Sequence, residues 1–463
     1  MVAARHRHHV LQCAQGAHVT TTYDHRHPAY YDEADLRGEL NRVFDLCHGC
    51  RMCFNLCPSF PTLFDYADSY DGDVHQMTTA EQDHVVDECY QCKICYVKCP
   101  YIPPHEWELD FPRMIMRAEA VRMKKGDDTV AQKAAKHALG RPDLLGRLAT
   151  GPQSVVVNKS LDVKPVRRLV EKAAGIASER VLPPYARQRF TTWFKKRKAA
   201  SSDGTQRAER TQARAAVFPT CFVEYMQPDI GQDLVKVYER NGVACSLAST
   251  TTCCAAPLLH AGDVDGFLKV AEKNVKALAE DVRAGKDVVV PQPTCGYVLK
   301  KDYVQYVGGD DAELVARHTY DAAEYLMKLH KDADTTFDTD FAGDVPEAVT
   351  YHVPCHLQAQ NIGLKSRDLM KLTGTKITLV NKCSGIDGTW GYRAENYELA
   401  RRVAQPLAQA VEAAGNDVVT GDCHLANGAI VQETGKRPVH PIQFVARAYG
   451  IAEEGEGSGW GRS

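Results

Sequence analysis

The feature that most constrains this chain is a cysteine pattern written twice: Cys47-x-x-Cys50-x-x-Cys53-x-x-x-Cys57-Pro58, then Cys89-x-x-Cys92-x-x-Cys95-x-x-x-Cys99-Pro100. Three thiolates at this spacing reach adjacent corners of an iron–sulfur cube from one short loop, and the fourth ligates the other cluster of a pair. The runs therefore predict two [4Fe-4S] clusters, one held by Cys47, Cys50, Cys53 and Cys99, the other by Cys89, Cys92, Cys95 and Cys57. Soft thiolate sulfur suits iron, and each trailing proline ends its loop and removes a backbone donor near the sulfurs. Structural zinc is the alternative, but zinc knuckles place two pairs well apart and do not ask for four cysteines in a row, twice. No Cys-x-x-Cys pair is followed by His, which excludes a c-type haem.

Seventeen cysteines in 463 residues is an odd count, which argues against a fully paired disulfide framework in a chain that needs no staples. The start, MVAARHRHHVLQCAQGAHV, lacks the apolar stretch of a secretory signal, and no segment approaches membrane-spanning length. The expected compartment is a reducing cytoplasm, where cysteine clusters mean metal or redox chemistry. With 56 Lys and Arg against 59 Asp and Glu, the net charge of -3 recommends no nucleic acid or other polyanion as partner. His6, His8, His9 and His18 read as a terminal tail rather than a metal-binding tract, and Cys13 and Cys245 as ordinary cysteines.

Cysteine density divides the chain better than hydropathy does. A tail (1–31) precedes a helical two-cluster domain (32–140), whose final helix opens at Phe111-Pro112. A Pro-rich basic connection (141–214) leads to strand-then-helix patterning that appears twice, at 215–330 and 348–452, with a linker (331–347) between and a tail (453–463) after. Each strand of these modules delivers a cysteine near its C-terminal end. Module one offers Cys221, the vicinal pair Cys253-Cys254, and Cys295; module two offers Cys355, Cys383 and Cys423. Equivalent cysteines lie about 130 residues apart, which reads as duplication of one α/β module. Four thiolates meeting where the loops converge would hold a further cluster in module one; the bland reading packs them as small hydrophobes. In module two, His352, His356 and His424 accompany the three cysteines, and a His/Cys metal site competes with a decayed or purely structural one.

These residues together resemble the family of the anaerobic glycerol-3-phosphate dehydrogenase C-subunit, the glycolate oxidase iron–sulfur subunit and the heterodisulfide reductase subunits. The likeness runs from about Asp32 to Ile451 and is strongest in DLCHGCRMCFNLCPSFPTLF, ECYQCKICYVKCPYIPPHEW and PQPTCGYVLKKDY. It implies a helical ferredoxin-like domain followed by two cysteine-rich CCG modules, each able to bind an unusual cluster through Cys, Cys-Cys-Gly and Cys-x-x-Cys. Here Ala255 stands for the glycine and Gln292 for a cysteine in module one. Module two keeps Gly385 but has Ser384 and Thr420 where cysteines are expected. A third cluster at Cys221, Cys253, Cys254 and Cys295 follows from the resemblance more readily than a fourth.

The resemblance implies an electron-transfer subunit that takes electrons from a flavoprotein dehydrogenase and passes them to a quinone or another acceptor. A catalytic disulfide or quinone reductase built on a CCG-module cluster is the alternative; a third reading makes the chain the electron donor of a rubrerythrin-like diiron protein. No G-x-G-x-x-G after a strand and no G-x-x-x-x-G-K-[ST] announces a nucleotide or flavin on this chain. Arg51 and Lys93, inside the cysteine loops, are candidates to tune cluster potentials. In the connection, Arg187, Arg189, Lys195, Lys196, Arg197 and Lys198 interleave with Tyr185, Phe190, Trp193 and Phe194. That combination suits either a peripheral contact with a membrane or, as the favoured expectation, docking on the protein's own surface.

Overall fold

The computed structural model describes residues 20–126, 129–197, 213–250, 253–333, 335, 337–386 and 388–451. The terminal histidines, Cys13, Lys198 and the C-terminal tail lie outside them.

The N-terminal part is helical because its apolar residues recur at helical spacing between strong caps. Asp32 caps the helix Glu33–Cys50, accepting the Asp35 N–H, and the helix stops at Arg51, whose φ of 55° is left-handed. Cys47 and Cys50 therefore occupy its last turn, with Cys53 beyond the reversal. Helix Ser59–Ser69 restarts directly after Cys57-Pro58. The second run repeats the device: helix Thr79–Asp87 opens with a Thr78/Glu81 capping box, Lys93 turns the chain at φ 64°, and helix Ile94–Lys98 carries Cys95. Arg51 and Lys93 are equivalent positions, each following the second cysteine of its run.

Helix Phe111–Lys125 is the keystone. Asp110 caps it, Pro112 begins it, and it is buried almost all round. Phe111, Met114, Ile115, Ala118 and Val121 face the core of the helical domain, while Met116 and Ala120 enter the core of module one. Arg117, wholly buried, donates to the carbonyls of Ala29 and Tyr30 at 2.8 Å and pairs with Asp35, so its charge is neutralised where water cannot reach.

Module one has strands β1 (Arg214–Val217), β2 (Ala244–Leu247), β3 (Asp287–Val290) and β4 (Thr319–Asp321), all parallel in the order β2-β1-β3-β4. The continuous apolar runs Ala-Ala-Val and Val-Val-Val suit strands covered on both faces. Module two repeats this with β5 (Ala348–His352), β6 (Lys376–Val380) and β7 (Val418–Gly421) in the order β6-β5-β7. A parallel bridge between Thr420 and Val439 marks where β4 would recur. The modules share one core: helix Pro228–Arg240 packs on Pro441–Ala448, and Ala322–Lys331 on Lys365–Lys371, burying Leu234, Tyr238, Leu326, Leu369 and Ile442 together.

The stretch expected to be an unpatterned basic connection is instead largely helical, at Pro142–Ala149, Ser154–Leu161, Lys164–Ala174 and Phe190–Lys196. Its prolines misled the reading because Pro142 and Pro165 occupy first turns, where a missing N–H costs nothing. The aromatic side of the segment docks on the protein's own surface, as favoured. Phe190 is fully buried, Trp193 and Phe194 pack on the shared core, and Arg197 pairs with Glu239 at 2.8 Å.

Gly262 holds φ 85°, and a Cβ there would run into the Glu119 backbone of the keystone helix. Gly262→Ala should destabilise the protein by about 2–4 kcal/mol, through left-handed strain plus overpacking. A lowered apparent thermal midpoint would register it, and an unchanged midpoint would contradict the close docking.

Candidate cluster sites and an apolar pocket

The two cysteine runs exchange their last members. Cys47 is half-buried, and its thiol is pushed up by desolvation and then by the neighbouring Cys53, Cys99 and Cys50. Burial, then Cys99 and Cys50, raises Cys53 to about 11. Cys57, by contrast, lies with Cys89 and Cys92, and Cys95 with Cys92, Cys89 and Cys57. Cys47, Cys50, Cys53 and Cys99 border a cavity of about 30 Å³ closed by Phe60 and Phe111. Cys57, Cys89, Cys92 and Cys95 border one of about 10 Å³. No disulfide joins any described cysteine. Among the described residues no three His, Cys, Asp or Glu side chains converge as a single metal ion would need. Burial and neighbouring thiols push up Cys47, Cys53, Cys57 and Cys95, and such thiols would become thiolates once a cationic iron core compensated their charge. The donor set thus fits a cluster.

Donors to sulfur are already placed. The Tyr101 N–H donates to Cys99 Sγ at 3.4 Å and Gln91 Nε2 to Cys89 Sγ at 3.8 Å. Arg51 is exposed and pairs with Asp68. Lys93 differs: only 3% exposed, it donates to Gln91 Oε1 at 2.5 Å and lies 6.0 Å from the Tyr297 ring centroid. Asp302, fully buried on module one, has its carboxyl raised to about 6 by desolvation, which Lys93 and Arg113 oppose. A cation beside the second cage is therefore built into the interior.

In module one, Cys221 follows β1, Cys253-Cys254 follow β2 and Cys295 follows β3, all at the C-terminal edge of the sheet. Cys221 and Cys295 flank the β1/β3 boundary, the switch point where open parallel sheets form their crevice. Cys295 feels Cys254, Cys221 and Cys253, and all four line one pocket. Ala255 takes φ 67°, the conformation of its counterpart Gly385 at 64°, and its N–H donates to Cys253 Sγ at 3.3 Å as Gly385 donates to Cys383 at 3.4 Å. The alanine keeps the backbone of the glycine.

The quartet lines an apolar pocket of about 520 Å³ whose walls include Leu139, Leu145, Leu148, Val157, Leu161 and Val170. All of these but Leu139, which ends the helix Val130–Leu139, belong to the helices of the supposed connection, which sequence reasoning left out of the site. Their helical spacing, Leu145/Leu148 and Val157/Leu161, was the signal available. His260 and Thr389 line both this pocket and a polar cavity of about 240 Å³ that also touches Cys89 and Gln91 of the second cage.

Module two is different. Cys355, Cys383 and Cys423 border a cleft of about 250 Å³ together with His352, His356 and Lys382. Its histidines are buried, lowered by desolvation and held neutral. His352, at about 4, donates Nε2–H to the Lys382 carbonyl at 3.0 Å. His356, at about 3, bridges the Gln91 carbonyl at 3.1 Å and the Thr294 hydroxyl at 2.9 Å. His424 Nδ1 donates to Gln292 Oε1 at 2.7 Å, and Gln292 Nε2 reaches Cys423 Sγ at 3.9 Å. Gln292 therefore ties the modules together. Thr420 donates to the Thr350 carbonyl at 3.3 Å and Ser384 to that of Ile386, also at 3.3 Å, so both positions are ordinary polar contacts.

The second cage adjoins this module. Cys383 Sγ donates to the Tyr90 hydroxyl at 3.2 Å, Tyr90 packs on Trp390 at 5.1 Å, and the Trp390 indole N–H donates to the Asp87 carbonyl at 2.7 Å.

Comparison with known proteins agrees with this layout. A CCG cysteine-rich domain matches residues 215–300 and again 349–426, and a citrate utilization protein B Fer4-like domain matches 40–126. The C-subunit of the anaerobic glycerol-3-phosphate dehydrogenase of Escherichia coli is 31% identical over 324 residues, 69% of this chain and 78% of that protein. The B-subunit of the fumarate reductase (CoM/CoB) of Methanothermobacter marburgensis is 28% identical over 46% of this chain and 40% of its own length. Lactate utilization protein A of Bacillus pumilus is 25% identical over 45% and 86% respectively. With its Fer4-like domain and duplicated cysteine-rich module, this chain belongs to the CCG-domain iron–sulfur family that includes the anaerobic glycerol-3-phosphate dehydrogenase C-subunit.

Proposed function

We propose that this protein is the electron-relay subunit of a cytoplasmic oxidoreductase, taking electrons from a flavoprotein dehydrogenase and delivering them to an apolar acceptor of the quinone class. The crossing of Cys57 and Cys99 carries the reading, because it forms two four-thiol cages side by side, the second of which abuts module two through Tyr90–Cys383 and module one through Lys93–Tyr297. Iron–sulfur clusters, when bound, supply one-electron storage and release. The chain holds them through Cys47, Cys50, Cys53 and Cys99 and through Cys89, Cys92, Cys95 and Cys57. A further cluster belongs to Cys221, Cys253, Cys254 and Cys295.

The remaining residues set potential, distance and access. Gln91 and Tyr101 aim N–H groups at sulfur, which favours the more negative, reduced state. Lys93 acts in the same sense by charge. The apolar pocket excludes water and favours an aromatic, uncharged acceptor over a charged disulfide. The names of the relatives, subunits of a dehydrogenase and a reductase, support a partner that carries the substrate chemistry.

Anaerobically prepared protein should contain about four iron and four sulfide per cubane. In EPR, Cys99→Ser should alter the same signal as Cys47→Ser, and Cys57→Ser the same signal as Cys89→Ser; the reverse pairing would refute the exchange. Lys93→Gln should lower the potential of the second cluster by roughly 50–100 mV, the equivalent of a charge interaction of about 1–2 kcal/mol, and leave the first unmoved in a redox titration. Leu161→Asp should cut menadione reduction at least about tenfold, by desolvating a carboxylate in the pocket. Dithionite reduction of the cubanes should be unaffected; equal menadione rates would remove the pocket from the pathway.

A further inference from the structure

The helices that wall the apolar pocket carry a second feature on their outer side. Of the eleven large apolar side chains exposed among the described residues, seven fall between Val130 and Leu169. Three of them, Leu144 (50% exposed), Val156 (71%) and Leu169 (66%), each immediately precede a residue lining the pocket: Leu145, Val157 and Val170. One residue is a turn of about 100° around a helix, so these side chains stand at the rim of the pocket. Leu148 both lines the pocket and is 67% exposed, which marks the mouth.

Charge on the same helices is one-sided. Between 129 and 174 there are seven exposed Lys and Arg, among them Arg141, Arg147, Lys159 and Lys164, against one exposed carboxylate, Asp162. The chain as a whole carries -3, so this face is a local exception. The stretch also contains no Phe, Tyr or Trp. Protein interfaces draw their binding energy from aromatic anchors and are depleted in lysine, whereas short amphipathic helices with Leu and Val on one side and Lys and Arg beside them suit an anionic lipid surface.

We propose that this face rests on an anionic bilayer, with Leu144, Leu148, Val156 and Leu169 at the boundary of headgroups and acyl chains and the flanking cations toward lipid phosphates. The pocket mouth then opens into the bilayer, and a lipid-borne molecule reaches the module-one thiols without crossing water. The contact stands on the surface alone; the passage of an acceptor through it rests on the relay reading. Among the described residues no helix is long and apolar enough to cross a membrane, so the attachment is in the plane of the surface.

The test uses the full-length, cluster-loaded protein sedimented with vesicles containing phosphatidylglycerol or made of phosphatidylcholine alone. Binding should favour the anionic vesicles at least about tenfold and weaken with added salt, as screened attraction does. The variant Leu144→Gln/Val156→Gln/Leu169→Gln, which changes rim rather than pocket residues, should bind at least about tenfold more weakly while its cluster absorption and thermal midpoint stay put. Leu379→Gln, exposed in module two, should bind as the parent does. Equal binding to both vesicle types, or a rim variant that binds like the parent, overturns the proposal. Menadione reduction in solution is read in parallel: its absence with vesicle binding intact would remove the relay and leave the lipid contact standing.

Discussion

Exchange of Cys57 and Cys99 between the two cysteine runs fixes how the helical domain closes, and the arrangement of everything beyond it follows. Each loop gathers three thiols and lacks a fourth, so neither cage forms without the other segment. The reversals at Arg51 and Lys93 make this possible, because a left-handed residue after the second cysteine turns the chain sharply enough for the third to face the first two. That conformation costs a non-glycine residue about 1 kcal/mol, and it is what gathers the three thiols of each loop. The second cage is thereby pressed against Tyr90, Trp390 and Cys383, which couples the helical domain to module two.

Module one is coupled by a different interaction. Helix Phe111–Lys125 gives one side to each domain and carries Arg113 and Arg117 into a dry interior, where Asp110, Asp35 and main-chain carbonyls receive them. Buried ion pairs of this kind return little net stability, because desolvation offsets the attraction. They do hold the helix in place against its own domain, since a shifted helix would strand a charge, while Met116 and Ala120 carry the contact with module one. Across the boundary with module one, the Lys93 charge opposes the desolvation that raises the Asp302 carboxyl.

Duplication gave the two modules one strand order and left them with opposite sites. Module one opens its thiols into an apolar pocket roofed by short helices; module two opens its three into a more polar cleft with buried, neutral histidines. The substituted position Gln292 shows how the divergence was used. Its amide reaches Cys423 and accepts from His424, so a residue standing where the family has a cysteine now holds the two switch-point loops together.

Much of this was legible in the chain. Spacing led to the expectation that Cys99 joins the first run and Cys57 the second, and the fold brings those thiols to those neighbours; alternation of apolar strands with amphipathic helices gave the parallel modules and their cysteines at strand ends. The helices between 142 and 196 were not legible, since prolines that begin helices look in sequence like prolines that end them, and Phe190, Trp193 and Phe194 look alike whether they face lipid or core. Burial of Lys93, the neutrality of His356 and the closing of leucine-bearing helices over Cys221, Cys253, Cys254 and Cys295 were decided only in three dimensions. Local spacing determines which atoms of one loop can meet; which faces of distant helices lose their water depends on contacts between segments far apart in the chain, and those exist only once it has folded.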